Sequence, residues 1–197
     1  MAVMLSAGLF IGVVAWRLSE ETGDEYQGEG EADAESVLDG IDDFAFDLGV
    51  NLPMSDRKWS DDLNTRGAAY KSALATTERK YGIPQNMLAR LAWQESRFRP
   101  DIINGTTKSA AGAVGIMQIV PRWHPGVNPL NPAEAIDYAG RFLADLYRQF
   151  GSWELALKAY NWGAANVNAW IKGVKTEPVE TRNYSAQILA DLGKGKA

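Results

Sequence analysis

Apolar and polar positions divide the 197-residue chain into three regimes. Met1 to Trp16 is apolar almost throughout, and Arg17 closes the run. Residues 19–62 are dominated by acidic and small side chains, with scattered apolar positions in "VLDGIDDFAFDLGV". From Asn64 onward apolar residues recur every three or four positions, which is the period of a helix with one buried face. This pattern predicts a helix over 66–81, capped by Asn64 or Thr65 and stopped by Gly82. A second helix starts at Pro84, a residue suited to a first helical position, and runs past Glu95. After the Gly/Ser/Thr-rich stretch "NGTTKSAAGAVG", the segment "IMQIV" reads as a short helix before Pro121. Asn131-Pro132 opens a long helix ending at Gly151, and Ser152 caps another that runs to about Tyr160. Further helices are expected near 164–172 and 180–192. Strand signals are scarce, so the expected class is mostly α.

One position breaks the pattern. Leu88, Leu91 and Ala92 are spaced i, i+3, i+4, and the next place on that face, i+7, is Glu95. Pro100 disfavours helical geometry at Arg99, so Glu95 also sits near a helix C-terminus. Burial and the helix dipole both disfavour an ionised acid there. Such a group retains its proton near neutral pH and can donate it to a leaving oxygen. The competing reading is a helix-end Glu paired with Arg97 or Arg99 in a surface network.

The first regime, as a helix, spans roughly 24 Å, short of a bilayer core of about 30 Å. Trp16 at the interface and a snorkelling Arg17 compensate. With no Lys or Arg before it and no small-residue cleavage site after it, the segment reads as an uncleaved anchor rather than a signal peptide. The division expected is therefore a transmembrane anchor over 1–18, an acidic linker over 19–63 and a folded domain over 64–197. As a flexible tether the linker would reach roughly 35–40 Å.

Net charge sharpens the contrast. The overall value of −5 conceals 15 of the 25 acidic residues within 19–62, where Arg57 and Lys58 are the only bases. The remainder from residue 63 carries 17 basic residues against 10 acidic ones. A basic domain suits an anionic partner, whether nucleic acid, an acidic wall polymer or a lipid surface. No helix-turn-helix or zinc spacing supports nucleic acid. Absence of cysteine excludes disulfides and thiolate zinc sites, and a single histidine, His124, excludes multi-His metal centres. No metal and no cofactor are expected. Gly112 and Gly115 permit close backbone approach to a ligand, and Gln118 and Asn161 can both donate and accept hydrogen bonds. A buried Tyr160 hydroxyl needs a partner, for which Glu95 is the candidate. Trp93, Trp123, Trp153, Trp162 and Trp170 are candidates for stacking on the rings of a ligand.

Four blocks occur in order: "ESRFRP", "SAAGAVGIMQIVP", "AYNWG" and "ETRNY". Together they closely resemble the catalytic domain of soluble-type lytic transglycosylases, over roughly residues 66–192. The resemblance implies a lysozyme-like (α+β) helical fold related to goose-type lysozyme. It implies that Glu95 is the single catalytic acid/base and that Ser109 is a loop serine near the reactive sugar. Gly115 and Gln118 fall on a "G-x-M-Q" element beside the acid, with Met117 in its hydrophobic floor. Tyr160 and Asn161 fall on an "A-Y-N-x-G" element, with the tyrosine hydroxyl close to the acid. Glu180 falls near the far wall of the cleft, packed with Tyr184. Trp162 stands where the family often has a small residue, and the loop between Glu95 and Ser109 is a few residues longer than usual.

The implied reaction cleaves the β-1,4 bond between N-acetylmuramic acid and N-acetylglucosamine in peptidoglycan and leaves a 1,6-anhydro end. Lysozyme-type hydrolysis and non-catalytic wall binding are the alternatives. The implied partners are peptidoglycan glycan strands, the membrane through the N-terminal segment, and a secretion apparatus or phage virion. Location follows as membrane-anchored with the domain in the periplasm, or within a virion.

Overall fold

A computed structural model of the protein describes residues 59–194. The expected anchor over 1–18 and the acidic stretch through residue 58 lie outside the described residues. Among the described residues no helix is long and apolar enough to cross a membrane.

Among the described residues eight α-helices follow one another, and for the most part the loops are short. Helix α1 (Trp59–Asn64) precedes a 3-10 turn at Ala68–Tyr70, which leads directly into α2 (Lys71–Tyr81). Ordered helix thus begins five residues before Asn64, and the predicted 66–81 helix is a turn followed by a shorter α-helix. Gly82 ends α2 in the left-handed conformation, φ 66°, as the sequence indicated.

Helix α3 (Met87–Ser96) is the hub. Every residue from Met87 to Trp93 is buried, including Arg90, so it is enclosed by other helices rather than lying on the surface. It starts three residues later than Pro84 because Asn86 takes a left-handed φ of 67°. The Glu78 side chain replaces a local cap. Its carboxylate accepts the backbone N–H groups of Asn86 and Leu88 at 2.9 Å and of Ala89 at 3.2 Å. Helix N-termini leave such donors unmatched, and an acid there also complements the dipole. Burial pushes the Glu78 carboxyl upward, against the pull of these three bonds.

Arg97 and Phe98 follow α3 with φ of 50° and 53°, and α4 (Pro100–Ile103) opens on its proline. The long α5 (Pro132–Phe150) buries Ala135, Ile136, Ala139, Gly140, Leu143 and Leu146, one stripe of an amphipathic helix. Asn131 caps it by accepting from Glu134 N, and Gly151 ends it. Gly140 lets α5 close on α2, since a Cβ there would lie 2.2 Å from the Thr77 methyl. Helices α6 (Trp153–Trp162), α7 (Ala164–Ile171) and α8 (Val179–Lys194) complete the bundle. α8 packs on both α6 and α3, and α5 packs on α2 and α6. Leu88, Leu91, Ile116, Met117, Ile136, Leu143, Leu157 and Ile188 are fully buried at the centre.

The segment "IMQIV" is not helical. Val114 and Ile119 exchange both backbone hydrogen bonds, at 3.2 and 3.1 Å, around a four-residue turn. Gly115 at φ 80° and Gln118 at φ 46° are incompatible with a helix there. This isolated bridge is the whole of the β component among the described residues. The mostly helical expectation holds, and the (α+β) refinement shrinks to one turn.

Candidate active site

Glu95 lies one residue before the end of α3, and its carboxyl is half-buried between α3 and α8. Tyr184, buried on α8, donates its hydroxyl to Glu95 Oε1. Burial raises the Glu95 carboxyl to about 7; the Tyr184 hydrogen bond opposes this and the Glu180 charge adds to it. An ordinary Glu would be almost wholly ionised at neutral pH, whereas this one is about half protonated. The same burial, together with the Glu95 charge, pushes the Tyr184 and Tyr160 hydroxyls well above their ordinary range, so both remain donors.

The tyrosine on the acid is therefore Tyr184, not Tyr160. Tyr160, on α6, donates instead to the Met117 carbonyl at 3.0 Å. It is close enough to Glu95 for the two charges to interact, but a neighbouring backbone acceptor takes its hydroxyl. Met117 itself is fully buried, so its side chain packs the core and its carbonyl anchors Tyr160. Gly115 is buried too, and a Cβ there would lie 2.0 Å from the Pro129 carbonyl. Its glycine character serves this packing and its positive φ. Gln118 is half-buried, and its Nε2 folds back onto Gly115 O at 3.1 Å. A non-glycine residue held at positive φ stores strain of about 1–3 kcal/mol.

Ser109 is exposed and closes the preceding turn, its Oγ accepting from Ala113 N at 3.0 Å. Asn161, half-buried next to Tyr160, accepts from the Thr181 hydroxyl at 2.8 Å, which ties α6 to α8. Glu180 is exposed at the start of α8, and its charge reaches Glu95. Of the tryptophans, Trp93 is core: its indole donates to Asp62 at 2.7 Å. Trp153 is stacked on Tyr147 at 4.1 Å between centroids. Trp162 is half-buried beside Asn161, and Trp170 lies under the Lys158 ammonium at 4.9 Å. Trp123, 67% exposed, leaves a ring face open to a ligand.

Two buried charged groups gave no sequence signal. Lys158 on α6 and Glu177 before α8 are both buried and paired, with Arg182 Nε also on Glu177 at 3.2 Å. Burial lifts the Glu177 carboxyl, but its two cationic partners outweigh that and hold it below its ordinary value. The second group is Arg90 with Asp191, two charges 101 residues apart that meet at 2.7 Å.

An acid at about 7 on a helix end, a tyrosine donor on it and a tight Gly-x-Met-Gln turn beside it set the context for comparison with known proteins. The family model described as "Transglycosylase SLT domain" matches residues 72–183. The chain belongs to this family. The chain is 30% identical over 171 residues to the "Soluble lytic murein transglycosylase" of Escherichia coli (strain K12), covering 74% of this chain and 26% of that protein. It is 29% identical to the protein of the same name from Salmonella typhimurium (strain LT2), with the same coverage. It is 34% identical over 130 residues to "Peptidoglycan transglycosylase gp16" of Escherichia phage T7, covering 57% of this chain and 9% of that protein. The chain thus spans about a quarter of the length of the murein transglycosylases it matches. The four blocks that carried the resemblance lie within or overlap the matched span of the SLT domain, and so do Glu95, Tyr160 and Glu180.

Proposed function

We propose that this SLT domain cleaves the glycan strands of peptidoglycan as a lytic transglycosylase, with Glu95 as acid and then base. The observation that carries the reading is the half-buried Glu95 carboxyl, raised to about 7 and held by a tyrosine hydroxyl. A general acid works best with a pKa near the working pH. Glu95 gives its proton to the glycosidic oxygen between N-acetylmuramic acid and N-acetylglucosamine as the C1–O bond breaks. The N-acetyl group of the muramic sugar stabilises the oxocarbenium-like centre. The Glu95 carboxylate then takes the proton of that sugar's C6 hydroxyl, O6 bonds to C1, and a 1,6-anhydro ring closes. Attack from within one sugar benefits from an effective molarity of roughly 10⁵ M or more. Glu95 ends protonated, ready for another turnover.

Tyr184 has a role in both halves: its hydrogen bond favours the carboxylate that exists between the two proton transfers. Tyr160, Asn161 and Gln118 supply polar groups near the acid for the N-acetyl substituents. Ser109 and Glu180, both exposed, would meet the strand at the edge of the site.

A second reading rests on Glu180. Its charge reaches Glu95, and glycosidases that hydrolyse use a second carboxylate about 5–9.5 Å from the first. In that case Glu180 would direct a water to C1. Mass spectrometry of products from purified peptidoglycan separates the two. Anhydro-muramic ends are expected; reducing ends one water heavier would establish hydrolysis instead, and no product from the wild type would remove both. The similarity to the T7 protein supports a setting in which the wall is opened during phage genome entry. A secretion apparatus is the other setting, and the expected N-terminal anchor would serve either.

A further inference from the structure

Helices α3 and α8 meet at two polar contacts and a buried apolar stripe. One contact is Tyr184 on Glu95. The other is Arg90, whose Nε donates to Asp191 Oδ2 at 2.7 Å and whose Nη1 donates to Gln94 Oε1 at 2.8 Å. Between them on α8 lies fully buried Ile188. Tyr184 and Asp191 are seven residues apart, two helical turns on one face, or roughly 10 Å along the axis. α8 runs antiparallel to α3 here, since its earlier residue meets the later residue of α3.

The second contact is an expensive one. The Arg90 side chain has 0% exposure, and its Nη2 has no hydrogen-bond partner. Its guanidinium lies over the Trp93 ring at 4.5 Å, which fixes its plane. Buried ion pairs contribute little net stability compared with apolar packing, and their best-attested use is to set registry between elements. An apolar stripe alone permits small slides. A shift of α8 by one residue, about 1.5 Å, would break an N–H···O bond outright.

We propose that Arg90 and Asp191 form a positioning device for the acid: the pair sets the register of α8 on α3 and so holds the Tyr184 hydroxyl on Glu95. Neither residue touches substrate. The proposal rests on the functional reading above only for its kinetic consequence. The carboxyl of Glu95 reports the same thing without turnover.

The experiment replaces both charges together, Arg90→Met with Asp191→Ala, so no lone buried charge remains and the net charge is unchanged. The same pair is then made in a Tyr184→Phe background. Glu180 on α8 and the hydroxyls of Tyr160 and Tyr184 are the other groups that face Glu95, and the pair substitution leaves all three in the chain. Two quantities are read: turnover of purified peptidoglycan, and titration of the Glu95 carboxyl by carbon-13 NMR. The expected result is a loss of kcat of about tenfold with KM within twofold, and a Glu95 titration shifted upward as far as in Tyr184→Phe alone. In the Tyr184→Phe background the pair should cost less than twofold more. A Glu95 titration unchanged from wild type in the folded variant overturns the proposal, as does a loss that multiplies fully onto Tyr184→Phe. If thermal melting shows the pair variant unfolded, Asp191→Glu, which keeps the charge and lengthens the arm by one methylene, makes the same two readings. A wild type that releases no muropeptides sinks the functional reading, while the Glu95 titration still decides this one.

Discussion

The two walls beside Glu95 are made by different means. The α3–α8 wall is regular helix, and its polar contacts run between side chains: Tyr184 to Glu95 and Arg90 to Asp191. The other wall is the turn from Val114 to Ile119, tied to α6 by Tyr160, and its contacts run through main chain: Tyr160 to Met117 O, and Gln118 Nε2 to Gly115 O. On the helical wall a residue's identity decides chemistry. On the turn wall identity decides backbone shape, and chemistry follows only through that shape. Similar-looking substitutions should therefore fail in different ways on the two sides.

The largest effect is expected at Glu95→Gln. Removing the acid should lower muropeptide release by about 10³-fold or more with the fold intact, as measured on purified sacculi. It should also raise stability more at pH 8 than at pH 5. A carboxyl whose folded value is raised binds its proton more tightly when folded. Its ionisation therefore costs stability as pH rises from about 4.5 to about 7. The gain at pH 8 should be about 3 kcal/mol by denaturant unfolding.

Gly115→Ala attacks the turn wall. A methyl 2.0 Å from the Pro129 carbonyl must displace main chain, and the residue must also hold φ 80°. A stability loss of about 3 kcal/mol is expected, with activity falling because Met117 and Gln118 move together. A variant with wild-type melting would break the distinction between the walls.

Tyr184→Phe sharpens the helical side. Turnover should fall roughly tenfold, the usual size for a hydrogen bond to a charged group. For the wild type, activity that depends on the protonated acid should decline as pH rises through about 7. Losing the donor that favours the charged form moves that alkaline limb upward in Tyr184→Phe. A downward move would contradict the assigned geometry. The smallest effect is expected at Trp123→Ala, on the exposed loop held by the His124–Tyr138 contact at 2.7 Å. KM for long glycan strands should rise about threefold, within the range for one aromatic contact, with kcat unchanged.

This contrast also explains what was legible in the sequence. Glu95 stood out because a carboxylate on an apolar stripe is a fault in a periodic pattern, and helices α5 and α6 announced themselves through Asn131, Ser152 and Gly151. The turn was misread as a helix because "IMQIV" is apolar throughout, and only main-chain angles at Gly115 and Gln118 separate the two forms. Tyr160 was given the contact that Tyr184 makes, since spacing within a block cannot say which of two tyrosines from distant helices reaches an acid. The late start of α3 was hidden for a related reason: Glu78, which caps Asn86, Leu88 and Ala89, comes from the preceding helix. Arg90 gave no sign at all, because its partner is 101 residues away.

The cap supplied by Glu78 has a consequence for the order of assembly. It bridges only 8–11 residues, so α2 and α3 can form a hairpin early, with little loop entropy to overcome. Tyr184 is 89 residues from Glu95, and its arrival waits for α8. During synthesis α2 and α3 therefore emerge well before the helix that carries the hydrogen-bond partner of Glu95. The Glu95 carboxyl gains its tyrosine partner only when α8 docks on α3.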